Sequence, residues 1–135
     1  MKTRTIEQTV IFAASPHDVY ELIMDEKKHA KFTDGKAKVS REIDGAFSAY
    51  DGWIFGKNVE LVQDKKIVQT WAANDDEWPE GHESKVTFEF KKTKDGTELT
   101  FTHEKVPKEW YDDLCHGWIE HYWEPMKKAL GKFFV

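Results

Sequence analysis

The sequence predicts an α+β domain: a curved, mostly antiparallel sheet packed on one long C-terminal helix, with two short helices near the start. Three observations carry this. Segments of strand length with alternating apolar residues follow one another from Lys38 to His103. Asp-Gly pairs fall at their ends (Asp44-Gly45, Asp51-Gly52, Asp95-Gly96), and Asp-Gly between such runs is a strong hairpin signal. After Pro107, apolar residues recur at three and four, the pattern of a buried helix face.

Taken in order, residues 5–13 place Ile6, Val10 and Phe12 on one strand face, with Gln8 between them. Ser15-Pro16-His17-Asp18 reads as a helix start: Ser15 can cap, Pro16 suits the first turn, and Asp18 favours the positive helix end. That helix runs from Pro16 to about Met24 and buries Val19, Tyr20, Leu22 and Ile23. Asp25 caps a second short helix that carries Ala30 and Phe32 and stops at Asp34-Gly35. Strands are expected at 38–43, 46–50, 53–62 and 67–73, followed by a polar loop over 74–82. Two half-buried strands follow, one showing Val86, Phe88 and Phe90, the other Leu99, Phe101 and His103. The final helix is expected over roughly 107–134. Tyr111, Leu114, Trp118, Tyr122, Met126, Ala129 and Phe133 form one stripe, and Cys115, Ile119, Trp123 and Leu130 form the next. Pro125 removes a backbone donor and crowds the His121 carbonyl, so a bend is expected there. A sheet curled around one helix seldom fills its own hollow, so an internal pocket is expected between them.

The chain has 135 residues, enough for one domain over 1–135 with a core that needs no staples. Hydrophobic residues at 39% exclude a disordered chain, and six Trp, nine Phe and four Tyr make the interior aromatic. The formal net charge of −5 argues against a nucleic-acid partner. Cys115 is the only cysteine, which rules out an internal disulfide and favours a reducing compartment. No apolar run suits a signal peptide or a membrane span, so the expected location is cytoplasmic.

Four segments carry a family resemblance. The stretch FSAYDGWIFGKNVELVQDKKIVQTW, from Phe47 to Trp71, resembles the central signature of the Aha1-like proteins, named after the activator of the ninety-kilodalton heat-shock chaperone ATPase. The segments WPEGHES (78–84) and GWIEHYWEPMKKAL (117–130) are similar to the family's later motifs, and SPHDVYELIMDEKKHAKF (15–32) to its opening helices. The wider group is the START-like, or helix-grip, superfamily, which includes the birch-pollen-allergen proteins and polyketide cyclases. The resemblance implies a helix-grip fold. It also implies either an apolar ligand under the long helix or a stress-response role beside a heat-shock chaperone. The full-length eukaryotic co-chaperone has a further N-terminal domain important for engaging the chaperone, and the present chain resembles its C-terminal domain.

The first functional expectation is therefore non-catalytic binding of a small apolar or amphipathic molecule. Candidate wall residues are Gln8, Tyr50, Trp71, Phe88, Phe101, His103, Cys115, Trp118 and Tyr122. Each has plain core packing as its competing reading, and His103 in particular could be a core histidine satisfied by a hydrogen bond. Trp78 and His82 sit on the long loop, as a gate at the pocket mouth or as a plug for the sheet edge. The second expectation is a chaperone partner. The third is a cyclase- or hydrolase-type enzyme using His103 or Cys115. Cys115 and His116 are adjacent on a helix and point about 100° apart, so they make no nucleophile–base pair. His103 could reach Cys115 across the pocket. His116, Glu120 and His121 do not converge as metal ligands, and no phosphate-cradling glycine pattern is present, so no metal and no cofactor is expected. Gly52 suits a turn, Gly56 a bend in a strand, and Gly117 a close approach of helix to sheet.

Overall fold

The computed structural model describes residues 1–131. Phe133, expected on the helix stripe, lies outside the described residues. Seven strands form one antiparallel sheet in the order β1-β7-β6-β5-β4-β3-β2. They are β1 (Thr3–Phe12), β2 (Lys38–Val39), β3 (Ala46–Ala49), β4 (Ile54–Val62), β5 (Lys66–Ala73), β6 (Ser84–Thr93) and β7 (Gly96–Pro107). Two short helices, α1 (Pro16–Met24) and α2 (Glu26–Thr33), connect β1 to β2. The arrangement is the helix grip that the sequence implies: the sheet curls, and the C-terminal helix lies across it.

The local reasons are those of the sequence. The Ser15 hydroxyl accepts from the Asp18 N–H to start α1, and the Asp25 carboxylate accepts from the Lys28 N–H to start α2. Strand pairing departs from expectation at Pro107. The helix was expected to open there, but β7 continues to it, because Val106 and Pro107 pair with Arg4 and Thr3 of β1. Pro107 is extended (φ −53°, ψ 134°) and sits at the strand end, where its missing N–H breaks no ladder. A 3₁₀ turn (Lys108–Trp110) then leads into α3 (Tyr111–Trp118). In α2 the buried residues are His29 and Thr33 rather than Ala30 and Phe32, which are only half-buried.

Gly56 is required by close approach. A Cβ there would sit 2.0 Å from the Thr70 carbonyl oxygen of β5. Gly117 is different: the nearest atom to an added Cβ is the His121 ring at 3.9 Å, so the expected close approach to the sheet is not its reason.

The C-terminal helix is one run of helical backbone with a wider turn inside it. After α3 comes a π-helical stretch (Ile119–Trp123), then α4 (Glu124–Gly131). The irregularity expected at Pro125 takes this form, one turn ahead of the proline. Proline has no N–H, so the His121 carbonyl lacks its usual donor four residues on. The Tyr50 hydroxyl donates to that carbonyl instead, at 2.6 Å. At the other end of the stretch, the Ile119 N–H goes to His116, and the Gln8 amide donates to the Cys115 carbonyl at 3.0 Å. Gln8 also accepts from the Trp123 indole at 2.6 Å. Ile119, expected on the adjoining stripe, is 41% exposed.

Two buried polar chains join layers. In the first, the Trp118 indole N–H donates to His103 Nδ1 at 3.1 Å, His103 Nε2 pairs with Ser84 Oγ at 2.8 Å, and the Ser84 hydroxyl donates to the Trp71 carbonyl at 2.8 Å. Those directions fix the neutral imidazole with its proton on Nε2. In the second, the Tyr122 hydroxyl donates to His29 Nε2 at 2.8 Å, and His29 Nδ1 donates to the Ile23 carbonyl at 2.9 Å. Burial holds both imidazoles below their ordinary value, His103 down to about 3.

Two outcomes follow from these contacts. Replacing Tyr50 by Phe should cost about 1 kcal/mol in urea unfolding, and clearly less in a Pro125→Ala background that restores the backbone donor. Equal costs in both backgrounds would show that the hydroxyl does not stand in for the missing N–H. The second outcome concerns acid. His103 and His29 bind protons more readily unfolded than folded, so their contribution is intact above the ordinary value of 6.5 and is lost as pH falls below it. Each should lower stability by up to about 1.4 kcal/mol per pH unit in that window. The slope between about pH 7 and about pH 5 should flatten in His103→Gln, and an unchanged slope would exclude this origin.

Candidate functional site

The space between sheet and helix is not left empty at its centre. Phe101 of β7 packs on Trp118 with ring centroids 4.4 Å apart and on Trp123 at 5.0 Å, and Phe88 packs on Phe101 at 5.1 Å. These rings fill the centre of the space between sheet and helix where a pocket was expected. What remains is a cleft of about 390 Å³ at one side of the helix, open to solvent.

Four elements build the cleft. The β3–β4 turn supplies Tyr50 and Trp53; β4 supplies Ile54; β5 supplies Trp71; and the chain from the 3₁₀ turn to the π-helical stretch supplies Trp110, Asp113, Leu114, Gly117, Trp118, His121 and Tyr122. The turn is unusual: Tyr50, Asp51 and Gly52 follow one another with φ of 50°, 60° and 91°. For a bulky residue such as Tyr50 this left-handed conformation is strained, and the hydrogen bond to His121 holds it. Burial pushes the Tyr50 phenol up to about 12, and Tyr122, buried beside it, is likewise raised, so both act as donors rather than as bases.

Of the wall residues named from sequence, the cleft brings together Tyr50, Trp71, Trp118 and Tyr122. Phe88 and Phe101 are in the packed centre, and His103 is fully buried in its polar chain. Both His103 nitrogens are engaged, so it makes no pair with Cys115. Cys115 is half-buried and outside the cleft, and Gln8 ties β1 to the helix. Sequence reasoning missed Trp53, Ile54, Trp110, Asp113, Leu114, Gly117 and His121 as cleft residues, and His29 as a buried polar group. The spacing of 110, 113, 117 and 121 was a usable signal, since three, four and four place them along one helix face.

The loop expected as gate or plug is tied down. Trp78 is buried against Trp71 (5.4 Å) and Trp110 (5.4 Å), and its N–H donates to the His82 carbonyl at 2.9 Å. His82 Nε2 donates to the Lys105 carbonyl at 2.7 Å, where β7 bulges with a positive φ of 61°. Both residues line a second open pocket of about 520 Å³ rather than the aromatic cleft.

Two features bear on what the cleft does. The Trp71 indole nitrogen is buried without a hydrogen-bond partner, in a residue lining the cleft. Gly117 leaves open space where a side chain would project, although glycine inside a helix is less stable than alanine by about 1 kcal/mol. Elsewhere, His17, Glu21 and Asp64 lie close enough to share an ion, but Arg41 holds the Glu21 carboxylate with two bonds of 3.1 and 2.6 Å and keeps it below the usual carboxylate range. None of the described helices is long and apolar enough to cross a membrane.

Comparison with known proteins places this architecture. The family model described as Activator of Hsp90 ATPase homolog 1-like protein matches residues 13–131. The human Activator of 90 kDa heat shock protein ATPase homolog 1 is 29% identical over 127 residues, covering 94% of this chain and 36% of that protein. The Dictyostelium discoideum homolog is 33% identical over 132 residues, covering 96% of this chain and 33% of that one. The chain thus spans about a third of the length of these relatives. Among solved structures, PFC0360w, an HSP90 activator from Plasmodium falciparum, superposes with a TM-score of 0.86 at 26% identity, over 94% of this chain and 96% of that one. MLL2253 from Mesorhizobium loti reaches a TM-score of 0.83 at 16% identity, over 96% and 98% of the two chains, which speaks to fold alone. With its strand order, its gripped helix and a family match reaching from the end of β1 to the end of α4, the chain belongs to the Activator of Hsp90 ATPase homolog 1-like family.

Proposed function

We propose that this domain works by docking onto another protein, as an activator-type partner of a heat-shock chaperone ATPase. The carrying observation is the likeness to PFC0360w, named as an HSP90 activator, which extends over 96% of that chain as well as 94% of this one. A solved chain that matches this domain along its length and bears this name supports the reading. The inner chemistry agrees with binding rather than catalysis: both buried imidazoles spend their nitrogens on protein partners, and neither is free to move a proton to a substrate. ATP turnover by the ninety-kilodalton chaperone of the same organism, measured with and without the chain, should rise several-fold. An unchanged rate at saturating chain, with no complex in sedimentation, would remove this reading.

A second reading has its own support. The cleft is open and aromatic, and Gly117 keeps it clear at the expense of helix stability. On this reading the cleft holds a small amphipathic molecule. Gly117→Leu should then stabilise the helix by roughly 0.5 to 1 kcal/mol while filling the cleft. Native mass spectrometry should find a co-purified small molecule on the wild-type chain and none on the variant. A bare wild-type chain, or equal loading of both, would count this reading out.

A further inference from the structure

We infer that the cleft is built for an amphipathic organic cation, its charge seated on the tryptophan faces beside Asp113. The inference rests on the small-molecule reading of this cleft and names the ligand class.

The argument begins with charge. Among the described residues, Asp113 is the one carboxylate that lines the cleft, and no lysine or arginine lines it. An anionic ligand would meet a like charge with no cation to offset it. Most wall donors are also committed to protein acceptors, with the Trp53 indole and the His121 imidazole as exceptions. The Tyr50 hydroxyl goes to His121, the Trp110 indole N–H to the Glu77 carbonyl at 3.3 Å, and the Trp118 indole N–H to His103. The Trp71 N–H is unpaired, but it is buried away from the open space.

What the walls offer is aromatic rings, of which Trp53 is the most open to solvent among the described tryptophans. The face of an indole carries the negative part of its quadrupole, which attracts a cation. Ring orientation narrows the ligand further. Trp53 and Trp71 meet at 82° with centroids 6.5 Å apart, Trp53 and Trp110 at 43° and 6.2 Å, and Trp71 and Trp118 at 46° and 6.1 Å. A flat aromatic ligand would be sandwiched best between parallel walls. Walls set at angles form a corner, which suits a rounded group such as a substituted ammonium. Trp53, at 37% exposed, gives that group access from solvent. The space of about 390 Å³ leaves room for an apolar tail beside Gly117.

The test compares choline with neohexyl alcohol, which has a carbon where choline has its nitrogen and so matches its shape without its charge. Both are titrated into the full chain, and the indole N–H resonances of Trp53 and Trp110 are followed by NMR. Choline should bind at least about tenfold more tightly than the alcohol. Asp113→Asn should weaken choline several-fold and leave the alcohol unchanged. Asp113 is exposed, so the variant should keep its fold, as an unchanged far-ultraviolet circular dichroism spectrum would verify. Trp53→Leu should weaken choline more than the alcohol. If the alcohol binds as well as choline, the cation preference is overturned while the small-molecule reading stands. If neither probe moves the indole signals, both are overturned.

Discussion

The Trp118 indole N–H donates to His103 across the boundary between helix and sheet, and the geometry of both layers depends on that bond. It joins α3 to β7; Ser84 extends it to β6, and the Trp71 carbonyl to β5. A hydrophobic contact alone would let the helix slide, because burial is roughly proportional to area and has no direction. A buried hydrogen bond is directional, and leaving either partner unmade costs about 1 to 3 kcal/mol. The chain therefore sets the register of the helix over three strands. It also orients Trp71 and Trp118, whose rings then become cleft walls. His103 gives structure rather than chemistry here, and it can do so because burial keeps it neutral.

Helix irregularity is the second theme. Pro125 leaves a carbonyl without a donor, and the π-helical stretch ahead of it would be poorly held if its polar groups were left to water. Gln8 and Tyr50 reach it from opposite ends of the sheet order, β1 and the turn after β3. Ile119 is exposed there while Trp118, Tyr122 and Trp123 stay buried. The cleft thus lies beside the part of the helix that departs most from ideal geometry, a common location for π-helical turns in functional sites.

The architecture was legible because its signals are local. Turn dipeptides, caps and alternation named every strand and both short helices, and the family motifs supplied the helix grip. The inward face of His103 followed from its alternation with Phe101 and Leu99. Its partners did not, since Ser84 and Trp118 are brought to it by pairing and packing rather than by spacing. How far the hollow is filled was not legible for a related reason. Periodicity says that Phe88, Phe101 and Trp123 face inward, but not that their rings meet and fill the middle. Trp53 escaped notice because it stands just before β4, where facing is set by the turn, and Trp110 because it precedes the helix whose face it extends. His29 was passed over because α2 is too short and polar for its stripe to stand out, and one of its buried partners, Tyr122, lies far along the chain.

The indoles have a further consequence. Trp53, Trp71, Trp78 and Trp110 form a connected set, each within 6.5 Å of at least one other, and Trp118 joins them through Trp71. At such separations, light absorbed by one ring is shared with its neighbours, and emission gathers on the ring with the lowest excited state. A water-facing indole such as Trp53 relaxes furthest and becomes that sink. The molecule thus carries its own optical antenna, whose output is set at the mouth of the cleft.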